Sequence, residues 1–292
     1  MKRPAKNAMQ ICGICLLLAA CGSGSSSTTA RGLDSLNDLP ENGETLLQGQ
    51  AVTVDAEIDF DSDEVVLFNL SGTDASSVKL TTEDGEIVEV AILSLRSDVE
   101  IDLSAGATTP NILPISEYWS LEDGTYLAIV NTETGRFEHQ SIGFWAENLT
   151  ESTAILGAGA YGFETPHSDI PIGQRAAYVG KSTGYSVDET GVVRVTVSDI
   201  TLGTDFRRVT IDSRNTEQRI ALQPGTVASL PDLDFSGNGP VSGSRFKAVV
   251  TSATLSGEAS GAFHGPGADE VGGTFQLTGE NGAIYIGAFG AD

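Results

Sequence analysis

Short runs of alternating apolar and polar residues, broken every few positions by Gly, Asp, Asn or Pro, run along most of the chain. That is the pattern of half-buried β-strands, and nothing beyond the first twenty residues has the period of a long amphipathic helix. In Val192–Thr201, Val193, Val195 and Val197 fall on one face and Arg194, Thr196 and Ser198 on the other. In Phe206–Asp212 the same period turns Val209 and Ile211 inward and Thr210 and Asp212 outward.

The pattern divides the chain in two. A region over residues 46–115, acidic and β-rich, holds expected strands at Ala51–Phe60, Val65–Leu70, Ser77–Thr82, Ile87–Leu95 and Val99–Leu103. Glu83-Asp84-Gly85 joins two of them as a hairpin, because Asp-Gly adopts the positive φ that a tight turn needs. Ser104–Pro114, with its Gly, Thr and two prolines, reads as the linker. From 118 to 292, strands are expected at Thr125–Val130 and Phe137–Trp145 around a turn at Asn131–Gly135. Others follow near Thr153–Phe163, Arg175–Thr183, Val192–Thr201, Phe206–Asp212, Arg245–Leu255, Gly257–His264, Gly272–Leu277 and Ala283–Phe289. The fold class is all-β. About eight antiparallel strands at the C-terminal end can close into a barrel that leaves no sticky edge, with a smaller N-terminal β-rich domain before it. A β-sandwich gives nearly the same periodicity.

The first twenty residues differ. Lys2, Arg3 and Lys6 precede an apolar run, Ile11–Ala20, half the length that crosses a bilayer. Residues 1–20 therefore read as an export signal, ending in Leu18-Ala19-Ala20-Cys21. This resembles a bacterial lipobox, which makes Cys21 the expected lipidation site and the membrane a partner through its acyl chains. Residues 21–45 read as a tether that opens with a Gly/Ser/Thr tract, Gly22–Thr29. Gly22 stands where an inner-membrane lipoprotein would have Asp, so outer-membrane residence is expected, on the surface or periplasmic face. Cys12 and Cys15 lie inside the signal and leave with it, so no disulfide is expected.

Net charge is −24, from 40 acids and 16 bases, and signal cleavage removes cations only. Such a surface repels nucleic acid and anionic lipid and attracts basic partners; adaptation to salty water explains it equally well. No nucleophile elbow, phosphate loop or dinucleotide fingerprint occurs. His139, His167 and His264 lack metal-ligand spacing. Asp59-Phe60-Asp61-Ser62-Asp63-Glu64 imitates the start of a calcium loop, but Glu64 stands at the sixth position and Leu70 at the twelfth, where Gly and Glu are required. Neither a metal nor a cofactor is expected.

One C-terminal stretch is more specific. Gly261-Ala262-Phe263-His264-Gly265-Pro266-Gly267-Ala268-Asp269-Glu270-Val271-Gly272-Gly273-Thr274-Phe275 resembles the closing signature of the transferrin-binding protein B type β-barrel. The ending Ile286-Gly287-Ala288-Phe289-Gly290-Ala291 is similar to that family's last strand. Gly143-Phe144-Trp145, Tyr161-Gly162-Phe163-Glu164-Thr165-Pro166, Asp169-Ile170-Pro171 and Ala177-Tyr178-Val179-Gly180 resemble its barrel entry, so the likeness covers about residues 121–292. His264 stands where the family has Tyr. The resemblance favours the barrel over the sandwich. It implies a lipid-anchored, often surface-exposed binder without catalysis, whose relatives capture host transferrin, haemoglobin, haem carriers or complement regulators. Their binding loops lie at one barrel end, beside a handle domain. The signature itself is turn chemistry: Pro266 fixes φ, the glycines allow the bend, and Glu270 accepts backbone N–H groups there.

The leading expectation is thus an outer-membrane, lipid-anchored and monomeric binding protein. It captures a protein or an iron- or haem-related ligand, or docks an outer-membrane receptor. A structural envelope lipoprotein with no dedicated ligand is the alternative, and a secreted-type hydrolase ranks last.

Overall fold

The computed structural model describes residues 28–29, 32–59, 64–103, 116–130, 137–150, 152–219 and 227–292. Cys21, the signal, the Ser104–Pro114 linker, the Asn131–Gly135 turn and most of the calcium-loop imitation lie outside them.

The strands are β1 (Thr28–Thr29), β2 (Gly43–Asp59), β3 (Glu64–Leu70), β4 (Asp74–Glu83), β5 (Glu86–Leu93), β6 (Asp98–Asp102), β7 (Ser116–Ser120), β8 (Tyr126–Val130), β9 (Gln140–Asn148) and β10 (Thr153–Gly162). After them come β11 (Ala176–Val187), β12 (Val193–Thr204), β13 (Arg208–Arg219), β14 (Val227–Ser229), β15 (Ser236–Ser242), β16 (Arg245–Thr251), β17 (Ser256–His264), β18 (Glu270–Thr278) and β19 (Ile284–Ala291). The protein is all-β, as the alternation requires.

The second sheet is a closed barrel. Its order is β12-β11-β19-β18-β17-β16-β15-β13, β13 also pairs with β12, and every pairing is antiparallel. Eight strands leave an interior just wide enough for side chains. Phe206, Phe235, Phe246, Phe263, Phe275, Tyr285 and Phe289 fill it, with ring centroids 4.7 Å apart at Phe275–Tyr285 and 4.9 Å at Phe235–Phe275.

The first sheet runs β6-β5-β4-β2-β10-β9-β8-β7. Val99 and Ile101 at one edge share a buried cluster with Trp119 at the other, so the sheet curls almost into a second barrel. The Asp84-Gly85 hairpin forms as expected, with φ of 51° and 83°.

Two expectations change. The sheets do not divide near residue 115: β7 to β10, expected in the C-terminal barrel, pair into the first sheet, because β10 lies along ten residues of the long β2. Periodicity reports which face of a strand is buried and not which neighbour it takes. The N-terminal part is correspondingly not the smaller one. Nor does a tether extend to residue 45. Ser35 is buried, Leu33, Leu36 and Leu39 pack on the first core, and the Leu36 amide donates to Glu138 O at 2.7 Å.

The two curled sheets pack back to back. Val52, Val54, Phe144, Leu156 and Ala158 of the first meet Tyr185, Val195, Ile286 and Ala288 of the second. The Tyr126 and Tyr185 hydroxyls lie 2.7 Å apart across the joint. β10 is buried on both faces, so its side chains must be small wherever a large ring already occupies the space. A Cβ on Gly157 would lie 2.2 Å from Cε2 of Trp145, a ring held by its own bond to Ser97 Oγ at 2.9 Å. Gly157→Ala is expected to destabilise the protein by about 1–3 kcal/mol, the usual cost of overpacking. Urea unfolding measures it, and an unchanged midpoint would mean that the indole is free to move.

Candidate functional site

Three places carry candidate chemistry: the junction built by the signature, the loop end opposite to it, and a cavity inside the first sheet.

The signature turn bridges the sheets. Gly265 has φ of 82° and Ala268 of 60°, so the chain reverses between β17 and β18. Glu270 does accept backbone amides, but not from its own turn: Glu138 N donates at 2.7 Å and His139 N at 3.2 Å, from the segment entering β9. Burial raises the Glu270 carboxyl above its ordinary range, and those two bonds oppose the rise. Nearby, Arg245 makes a forked contact with Glu164, its Nε 2.9 Å from each carboxylate oxygen and its Nη2 2.6 Å from Oε2. Burial pushes Glu164 upward, but the bonds from Arg245 and Ser244 hold it below the usual carboxylate range. A cleft of about 450 Å³ lies here, with Leu46, Phe163, Pro166 and Arg245 in its wall. β1 pairs with Thr45 and Leu46 alongside it.

His264 is 4% exposed and Nδ1 has no hydrogen-bond partner. Burial pushes its pKa down to about 4, with Glu164 resisting and His139 and Arg245 reinforcing the fall. His139 sits at the start of β9 with Nδ1 at the Asp34 carbonyl, and His167 lies in an exposed turn. The three histidines therefore fall in one region, yet no metal-holding group of His, Cys, Asp or Glu forms among the described residues. The junction holds two sheets together, and the Ser244 hydroxyl within it donates to the Glu164 carboxylate that Arg245 also grips.

At the opposite end of the first sheet are the turns β5–β6, β7–β8 and β9–β10. They are tied to one another: Ser97 Oγ donates to Glu147 at 2.7 Å, and Asn148 Nδ2 donates to Asp123 O at 2.7 Å. Leu95 is 82% exposed there and Leu149 53%, with Leu121 beside them. Asp98, Glu122 and Asp123 are also exposed, and β18–β19 adds Glu280. Arg96 and Arg194 at this end are held by Asp55 and Asp188.

The cavity, about 310 Å³, lies between the sheet's inner faces. Val78, Leu80, Val90, Ile92, Leu127 and the two tryptophans, Trp119 and Trp145, are in its wall. Leu36 and Leu103 stand at its tether-side end. Val78, Leu80, Val90, Ile92, Leu127 and Trp145 fall in expected strands, whereas Trp119 does not and Leu36 falls in the expected tether.

The family model of the C-lobe and N-lobe β-barrels of Tf-binding protein B matches residues 170–292, the closed barrel and its entry. The C-terminal part of this chain is thus similar to that family's barrel. The match begins later than the resemblance at 121, since the intervening strands belong to the first sheet. No curated protein matches the chain. Among solved structures, it is similar to a mutant Transferrin Binding Protein B from Haemophilus parasuis Hp5, at 15% identity and TM-score 0.43, over 82% of this chain and 44% of that one. Against the isotype 1 protein from serogroup B Neisseria meningitidis the values are 14%, 0.48, 83% and 43%. Against the haemoglobin receptor HpuA from Kingella denitrificans they are 14%, 0.40, 91% and 91%. The chain spans less than half the length of the two transferrin-binding proteins.

His264 gives the junction a pH signature. Its folded pKa is depressed, so between pH 6.5 and about 4 the unfolded chain binds a proton that the folded one refuses, and stability falls as pH falls. From pH 7 to pH 5 the loss is about 2 kcal/mol. Glu270, raised, works with the opposite sign toward the acid end. The difference between wild type and His264→Gln at each pH cancels that contribution. Urea midpoints that fall in parallel for both proteins would show that His264 is not the group responsible.

Proposed function

We propose that this chain is a lipid-anchored outer-membrane protein, without catalytic activity, that captures a protein partner with its far end. The observation carrying this reading is polarity. Leu33, Leu36 and Leu39 pack at one end of the first sheet, and the exposed leucines crown the other. With acyl chains on Cys21, the membrane lies on the Leu36 side and the leucine turns face away from it. Several chains on one cysteine give stable anchoring, each buried methylene contributing about 0.8 kcal/mol.

Exposed leucines ringed by carboxylates suit a partner with an apolar patch and a basic rim. The barrel of residues 170–292, matched to a transferrin-binding family, supports a binding role. Its filled interior makes the outer surface and turns the contacting parts. The structural-lipoprotein alternative makes the barrel a scaffold and the acidic region a spacer.

Cys21→Ser is expected to release the protein into the soluble fraction with no fatty acid attached, read by fractionation and intact mass. Protease treatment of intact cells should remove the wild-type protein if it faces outward. Binding of full-length protein to immobilised transferrin and haemoglobin then tests capture. One of the two is expected to bind, and the Leu95→Asp, Leu149→Asp double variant should weaken it by roughly tenfold or more, the effect of losing a central contact. Protection from protease together with no binding to either protein would favour the structural reading.

A further inference from the structure

The cavity in the first sheet is independent of the far end and asks for a different ligand. We propose that it binds a small, neutral, mostly apolar molecule that carries one oxygen acceptor, a ketone, ester or alcohol. That oxygen accepts the indole N–H of Trp119.

Size comes first. About 310 Å³ lies at the low end of small-molecule sites, and the eight-strand counterpart beside it encloses a continuous aromatic core instead. An unfilled interior is therefore particular to the first sheet. Its walls come mainly from β4, β5, β7, β8 and β9, and apart from Glu117, Gln140, Ser141 and Gly143 they are aliphatic or aromatic.

Polar groups at that wall then select the chemistry. Trp145 Nε1 donates to Ser97 Oγ at 2.9 Å, and the Tyr161 hydroxyl lies 3.2 Å from Ser76 Oγ. Both are satisfied. Trp119 is 7% exposed, lines the cavity, and its Nε1 has no partner. An indole N–H is a donor only, and leaving a buried donor unpaired costs about 1–3 kcal/mol. A ligand oxygen removes that cost.

Charge completes the specification. Glu117 also lines the cavity, two residues before Trp119 and so on the same face of β7. Among the described residues no cation lines the cavity, so an anionic head group finds no partner there, which disfavours fatty acids. An ammonium head offers Trp119 no acceptor. A neutral oxygen meets both conditions.

The probe is prodan, a neutral aromatic ketone whose emission shifts blue on leaving water. Full-length protein freed of detergent should bind it saturably with a blue shift. Trp119→Phe keeps the ring and loses the N–H; it should weaken binding about fivefold and shift bound emission further to the blue. Val90→Trp fills the space and should abolish binding, with circular dichroism and the urea midpoint reporting that the sheet is intact. Decanol should displace prodan better than decanoate. Organic extracts of protein purified from membranes and of the Cys21→Ser protein, compared by mass spectrometry, separate a membrane-derived ligand from one taken from outside. Absence of saturable binding to the wild type overturns the proposal. So does equal binding by a folded Val90→Trp protein, or by Trp119→Phe.

Discussion

β10 and β19 have almost no solvent face, and the rest of the molecule follows from that. Each lines a core on one side and the joint between the sheets on the other. A strand in that position cannot alternate large and polar residues. β10 reads Thr-Ala-Ile-Leu-Gly-Ala-Gly-Ala-Tyr-Gly and β19 reads Ile-Tyr-Ile-Gly-Ala-Phe-Gly-Ala. Small residues bring the backbones close enough for rings such as Trp145 and Phe275 to lie across the gaps. A Cβ on Gly287 would lie 2.4 Å from the Phe275 ring, so the glycine supplies the space the aromatic occupies. Side-chain area removed from water stabilises the joint at about 25 cal/mol per Å², with closely fitting rings adding to it.

Much of the fold was legible in the residues, and what was not has a physical cause. The Asp84-Gly85 hairpin, the Val209 and Ile211 inward face and the closed C-terminal barrel followed from turn chemistry, period and resemblance. β12 shows the limit. Its valines and hydroxyls were correctly sorted to opposite faces, but Val195 packs on the first sheet while Thr196 and Ser198 point into the barrel. There Ser182, Ser198 and Ser213 form a ladder with contacts of 2.6 and 2.7 Å. Alternation distinguishes two faces; a second packed sheet reverses which of them is apolar. β15 was missed altogether. Ser-Gly-Asn-Gly-Pro-Val-Ser reads as a loop, yet it closes the barrel between β13 and β16. Its glycines are demanded by neighbours: a Cβ on Gly239 would lie 1.9 Å from Lys247 O.

The site was less legible than the fold. The signature around Glu270 was recognised as structural, but its long-range role was hidden, since the amides it accepts lie some 130 residues away in the chain. Sequence could place Trp119 in no expected strand, because β7, five residues long, is too short to show a period. An exposed Leu95 or Leu149 looks like any other strand leucine until the turns that carry them are seen to share one end.

The two sheets also differ in how fully they fill their interiors, on physical grounds. The eight-strand closed barrel is filled by its own phenylalanines, and such a barrel is a platform for turns. The first sheet ends at β6 and β7, with no ladder pairing between them among the described residues, and so keeps an interior less tightly filled. Ring closure removes edges and voids together, whereas a sheet stopped short of closure keeps a seam and the space beside it. A void that persists next to an unpaired indole lacks both the dispersion contacts and the hydrogen bond that a filled one would have. The same opening leaves the first sheet space for a ligand of the kind proposed, and the shared joint through β10 and β19 braces it against the closed barrel.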